Sequence, residues 1–279
     1  MVTLQQAAPS LPLKPFIKLY KFLEFDAENL QEQRWYASAD PYLIFFLEDN
    51  PFYIKCQNQK FPIQRNCDIV FVGISTQFNG WFQLKGKYKC FLIHFTPTGL
   101  TRLFKLPLDK IINNIYPVNG FLDSSADLLF KRLKTASQIE QMASLADAFL
   151  IPYLKNIKSK SGENDISVLS NNFPQLKIFW RTQDYANILN MSLRNFERTF
   201  LEQAGIAFKT YLRLLRFQEA IFLKVNFPEK SLSSIAYECG YYDQTHMGKD
   251  FKEFTNVSPS LFFKDDPFIQ LQIYSSRIN

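Results

Sequence analysis

Apolar residues in the last third of the chain recur with helical spacing, and the pattern is broken twice by the same kind of short polar turn. Ser231 can cap a short helix whose buried face is Ile235 and Ala236. Gly240 ends that helix, because glycine takes a left-handed turn without steric cost. Asp243 then caps a second helix with Met247, Phe251 and Phe254 inward at i, i+4 and i+7. Its outward residues are Gln244, Thr245 and Lys249. The same layout occurs earlier. Tyr185 and Ala186 stand where Ile235 and Ala236 stand, and Asn190 occupies the turn, where Asn tolerates positive φ. Ser192 caps a helix with Phe196 and Phe200 inward and Arg194, Asn195, Glu197 and Arg198 outward.

Two short helices across a tight turn, the second presenting polar side chains, is the layout of a helix-turn-helix DNA reader. The caps Ser192 and Asp243 are 51 positions apart, so the units, about 181–202 and 231–254, form a tandem pair. Between them Phe208 to Lys224 is apolar on two sides: Phe208, Leu212, Leu215 and Phe222 on one, Tyr211, Leu214, Phe217 and Ile221 on the other. Such a helix packs against both units. Its seventeen residues span about 25 Å, of the order of one DNA turn at about 34 Å, which suits two readers in successive major grooves.

The first half follows a different period. Pro41 to Leu47, a turn at Glu48 to Pro51, and Phe52 to Lys55 read as strand, turn, strand. Further strands are expected at Asp68–Ile74, Phe78–Leu84 and Tyr88–Phe95, separated by Gly, Asn and Lys turns. Short strands with close turns suggest a small barrel or sandwich. Helices follow at Thr98–Lys105, Ser124–Lys134 and Gln138–Tyr153, the last with one apolar stripe through Met142, Ala143, Ala146 and Phe149. Because a small barrel has limited face to cover two helices, that stripe is expected to form a homodimer contact, with packing on its own barrel as the alternative. The polar run Lys155 to Asn164 is the linker candidate, which divides the chain at about residues 1–160 and 161–279.

The formal net charge of +6 suggests a polyanionic partner, but its distribution does not. Pro174 to Asp266 holds 12 Lys/Arg against 11 Asp/Glu, and the remainder 20 against 15. DNA binding therefore rests on cations placed at helix starts rather than on a basic domain. No charged-then-apolar leader follows Met1 and no apolar run approaches a membrane span, so a cytoplasmic location is expected. Cys56, Cys67, Cys90 and Cys239 show no metal or pairing spacing and read as reduced thiols.

Positions 180–263 resemble the DNA-binding domain of AraC/XylS-type bacterial transcription regulators. The resemblance rests on Ser192, Phe196, Glu197, Arg198 and Phe200, then Gly205, Phe208, Tyr211 and Arg216, then Gly240 to Met247, Phe251, Lys252, Ser258 and Pro259. Asn256 departs from the family's usual Gly, Gly248 lies inside the second recognition helix, and Arg181-Thr182 replace the usual polar cap and apolar residue. A strand barrel followed by helices is similar to the cupin-like sensor domain of many such regulators, and the Phe95 to Leu100 step is similar to one subgroup of them. The resemblance implies an α+β two-domain fold: a cupin-like β-barrel with helices, then a seven-helix, all-α tandem helix-turn-helix domain. It further implies a transcription regulator of the activating kind that meets double-stranded DNA and RNA polymerase, with a small-molecule effector in the first domain. A ligand-free dimerisation domain is the alternative.

The expected DNA-contacting residues are Arg194, Asn195, Arg198, Gln244, Thr245 and Lys249. Arg194 and Gln244 lie on the first turns, where base edges are met, and Gln can pair bidentately with adenine. Arg198 either reaches DNA or pairs with Glu202 at i+4. Lys249 suits phosphate, and His246 suits capping and packing of its turn. Gly248 either admits the DNA backbone or merely weakens the helix, and Arg213 and Arg216 are structural or phosphate-facing. A metal-binding or catalytic cupin needs several histidines and a carboxylate, but only His94 and His246 are present. No metal, no cofactor and no enzymatic activity are expected. Phe46, Phe71, Trp81 and His94, with Tyr88, are candidate effector contacts, with core packing as the alternative for an aromatic-rich chain.

Overall fold

The computed structural model describes residues 2–48, 52–56, 59–62, 68–118, 121–157 and 181–264. The linker expected at Lys155 to Asn164 lies mostly outside them.

The first part is an antiparallel sheet of eight strands: β1 (Val2–Ala7), β2 (Ile17–Trp35), β3 (Tyr42–Phe46), β4 (Phe52–Cys56), β5 (Gln59–Pro62), β6 (Ile69–Val72), β7 (Gly80–Phe95) and β8 (Ile115–Pro117). They pair in the order β1-β2-β7-β3-β6-β8, with β4 joining β7 to β5. The long strands β2 and β7 form the spine, from Ile17 opposite Phe95 to Trp35 opposite Gly80. The expected Lys85-Gly86-Lys87 turn is not a turn: β7 runs through it. Gly86 takes φ 100° opposite Ala27, where the register of β2 shifts, so the pair bends instead of ending. Two strands not expected from the sequence, β1 and β2, supply one edge and half the spine.

Alternation divides the sheet's side chains between two cores. Leu23, Phe25, Trp35, Tyr42, Tyr88 and Leu92 turn to the concave side. Tyr20, Phe22, Phe45, Phe71, Phe91 and Phe95 turn to the other, where helices α1 (Gly99–Phe104), α2 (Leu108–Ile111), α3 (Ser124–Thr135) and α4 (Ile139–Leu150) cover them. Asp147 of α4 fastens that packing, accepting from Tyr20 Oη at 2.5 Å and Ser10 N–H at 3.0 Å.

The α4 stripe corrects the expectation of a dimer face. Met142 and Ala146 are fully buried and Ala143 and Phe149 nearly so, all within the core of their own sheet. The sheet accommodates both helices because α3 packs on α4, which in turn meets β1 and β2.

Six helices follow between residues 181 and 264: α5 (Thr182–Ile188), α6 (Leu193–Ala204), α7 (Phe208–Asn226), α8 (Leu232–Glu238), α9 (Gln244–Thr255) and α10 (Pro259–Lys264). A seventh would lie outside the described residues. Their aromatic core is not closed by helices alone: Tyr36, Ala37, Ala39, Ile74 and Phe78 of the sheet domain are part of the same buried cluster.

Two outcomes follow for stability. Met142→Glu places a charge in a site with no exposure and should destabilise by more than about 3 kcal/mol, giving loss of cooperative unfolding in urea followed by circular dichroism. A folded monomer would return the stripe to the surface. A Cβ added at Gly248 in α9 meets nothing within 4 Å, so Gly248→Ala should stabilise by about 0.5–1 kcal/mol in the same assay.

Candidate nucleic-acid interface

The two helix pairs, α5–α6 and α8–α9, are built by the same local chemistry. After α5, Asn190 takes φ 52° and Met191 N–H donates to Ala186 O at 2.9 Å. After α8, Gly240 takes φ 74° and Tyr241 N–H donates to Ala236 O at 2.9 Å. The left-handed residue reverses the chain and satisfies a late carbonyl of the first helix. Each second helix is then capped: Ser192 Oγ accepts from Asn195 N–H at 3.3 Å, and Asp243 Oδ1 from His246 N–H at 2.6 Å. The weak entry at Arg181-Thr182 is closed from the other side, since Asp184 accepts the Arg181 N–H at 2.7 Å.

Caps and turns fix which face of α6 and α9 looks outward. Arg194 and Lys249 are exposed and have no ion-pair partner among the described residues. Thr245 is exposed beside them. Arg198 pairs with Glu202 at 3.1 Å and also donates to Asn195 Oδ1 at 2.8 Å, so in the free protein both side chains of α6 are engaged with one another. Gln244 Oε1 accepts from Ser233 Oγ at 2.7 Å, which holds it across the turn from α8. His246 packs edge-on against Tyr241 at 5.4 Å, in keeping with a packing role.

Arg213 does not face outward. Its guanidinium donates to Asp250 at 2.8 and 3.1 Å and to Glu253, and lies 5.0 Å over the Phe254 ring, tying α7 to α9. Sequence reasoning missed Tyr242, which is 92% exposed immediately before the Asp243 cap. The signal was available in the Tyr241-Tyr242 pair, of which only the first can enter the core.

The concave side of the sheet holds a partly open cavity of about 160 Å³. Of the five effector candidates, Phe46 and Tyr88 line it. Phe71 faces the opposite side, against Phe104 at 5.5 Å, because its register puts it on the other parity. Trp81 packs against Phe78 at 5.0 Å beside the helical core. His94 is buried behind the cavity, stacked on Tyr42 at 4.6 Å. Its Nε2 is 3.2 Å from Asp40 Oδ2. Burial pushes His94 down to about 4 in spite of that carboxylate. Against a burial that would raise it, Lys18 and His94 hold Asp40 well below the usual carboxylate range. Burial likewise raises the Cys90 thiol to about 12, which makes it inert. Among the described residues no three His, Cys, Asp or Glu side chains are grouped to hold a metal, and no helix is long and apolar enough to cross a membrane.

Comparison with known proteins places these features. Residues 185–265 match a family model described as a helix-turn-helix domain, and residues 5–117 match a domain of unknown function. An uncharacterized HTH-type transcriptional regulator of Haemophilus influenzae is 34% identical over 85 residues, 30% of this chain and 28% of that protein. The HTH-type transcriptional activator RhaS of Escherichia coli O9:H4 is 35% identical, covering 58% of this chain and 61% of its own. RhaS of Mannheimia succiniciproducens is 23% identical over 202 residues, 72% of this chain and 65% of its own. The chain thus spans between 28% and 65% of the length of these relatives. Among solved structures, ToxT from Vibrio cholerae O395 is 14% identical and aligns over 86% of this chain and 95% of its own with a TM-score of 0.48. Residues 185–265 carry a helix-turn-helix domain similar to that of these HTH-type transcriptional regulators.

Proposed function

We propose that the chain is a sequence-specific, double-stranded-DNA-binding transcription regulator, acting as an activator in the cytoplasm and not as an enzyme. The observation that carries this reading is the pair of exposed, capped first turns of α6 and α9, set on one shared aromatic core. Arg194 meets a base edge from α6, with Asn195 and Arg198 beside it. Arg198 exchanges its Glu202 partner for DNA, an exposed i,i+4 pair being worth only about 0.3–0.5 kcal/mol. Gln244 and Thr245 read from α9, and Lys249 meets phosphate. Tyr242 stands where its hydroxyl can donate to the backbone. RNA polymerase is the partner through which such binding acts on a promoter, and the sheet cavity is the place for a small-molecule effector.

A duplex selected by the full chain from a random library, used in mobility-shift titrations, tests this. Arg194→Ala and Gln244→Ala should each weaken specific binding by about 1–3 kcal/mol and relax base preference in different halves of the site. Lys249→Ala should weaken all sequences alike and lower the salt slope by roughly one unit. If Arg194→Ala and Gln244→Ala both bind as tightly as wild type, α6 and α9 are not the readers.

A further inference from the structure

The segments that hold the second reader against the sheet domain are also a wall of its cavity. Arg34, Trp35, Ser38 and Asp40 line the cavity from one segment and Ser75 from another. Within those same segments, Ala37 N–H donates to Phe254 O at 3.0 Å and Phe78 N–H donates to Glu253 O at 3.3 Å. Both acceptors are at the C-terminal end of α9. Ser38 and Ser75 exchange backbone hydrogen bonds of 2.8 and 2.9 Å, so the two segments are one unit. Asp40 Oδ2 also accepts from Gln218 of α7 at 3.3 Å.

The first reader is anchored elsewhere. Thr101 Oγ1 of α1 donates to Gln203 O near the end of α6, and Leu108 and Ile112 pack at Gly205. None of these three sheet-domain residues lines the cavity.

Size and lining define what the cavity takes. At about 160 Å³ it is comparable to a cavity of roughly 150 Å³ that admits benzene. Two aromatic pairs form its sides, Phe25 with Tyr88 at 4.9 Å and Trp35 with Phe82 at 5.5 Å. The end toward the second reader is polar. There the Ser75 hydroxyl is fully buried and has no hydrogen-bond partner among the described residues. The Asp40 carboxylate accepts from Lys18 and Gln218 and has His94 Nε2 3.2 Å from Oδ2, which leaves one of its about four acceptor positions open. Gln33 and Arg34 also line the cavity as donors, but at the Ser75 and Asp40 end acceptor oxygens face the apolar chamber, and there it suits a molecule with one ring and a donor.

We propose that this cavity binds a single-ring aromatic molecule carrying a hydroxyl or amine, its donor directed at Asp40 and Ser75, and that occupancy acts on the second reader rather than the first. The ring fills the space between the aromatic pairs, and the donor engages the segment from which Ala37 and Asp40 reach α9 and α7. The regulatory half of this inference rests on the reading of the chain as a DNA-binding protein; the binding half does not.

Calorimetric titration of the full chain with phenol and with toluene, in the absence of DNA, tests the site. Phenol should bind once per chain. Ser75→Ala should weaken phenol about three- to tenfold, the loss of one hydrogen bond, and leave toluene unchanged. Val72→Phe, which fills the chamber from β6, should abolish binding of both while keeping the wild-type circular dichroism; if it does not fold, Ser75→Ala decides alone. No phenol binding, or equal phenol affinity in wild type and Ser75→Ala, overturns the site. For the routing, saturating phenol should change affinity for the selected duplex at least threefold. The change should persist when the half read by α6 is scrambled and vanish when the half read by α9 is scrambled. An equal change in both overturns the routing. A chain that selects no duplex overturns the DNA reading together with the routing, while the calorimetry still decides the cavity.

Discussion

Phe217, midway along α7, meets Phe251 and Phe254 of the second reader edge-on at 4.9 and 5.3 Å. At the start of the same helix Phe208 meets Phe196 and Phe200 of the first reader at 4.7 and 4.9 Å. Burial of α7 on both sides is therefore what couples the two readers. Neither can rotate or shift without opening aromatic contacts that are fully buried, and close-packed interiors move between discrete arrangements rather than deforming. The Arg213 bonds to Asp250 and Glu253 add a directional lock between α7 and α9. A helix of 19 residues spans about 28 Å, so the spacing of the readers is set by its length.

The sheet domain enters the same core. Tyr36 packs on Phe262 at 4.9 Å, and Ala37 and Phe78 satisfy the carbonyls of Phe254 and Glu253 that α9 itself leaves open. A helix end satisfied by another domain's backbone N–H groups is sensitive to where that domain's strands lie. The domains therefore share both apolar surface and hydrogen bonds, and a change in the curvature of the sheet near Trp35 or Ser75 has a short path to the DNA-facing helices.

How much of this was legible in the sequence follows from the range of the forces involved. Caps and turns were legible because their sterics are local: Asn190, Gly240 and Asn256 take positive φ, and Ser192, Ser231 and Asp243 accept from the first turns of their helices. The outward faces of α6 and α9, and so the candidate DNA contacts, came with them. Strand β2 was missed because Lys21, buried with 1% exposure, breaks its apolar alternation. The stripe on α4 declared a buried face but not its partner, since periodicity carries no record of what covers it. Phe46 and Phe71 were equivalent in sequence and fell on opposite sides because strand register alone decides parity. The Asp40–Gln218 contact joins positions 178 residues apart, and no local pattern announces it.

The central claim is that α7 holds two readers at one fixed separation on DNA. Mobility-shift titration of the selected duplex against versions with one to five base pairs inserted between its two halves tests it most directly. The rigid packing around Phe208 and Phe217 predicts that insertions of a few base pairs reduce binding to the level of a single half, because the second reader is carried about 34° around the duplex axis per added pair. Undiminished affinity across the whole series would contradict it, and would mean that the readers move independently in spite of their shared core.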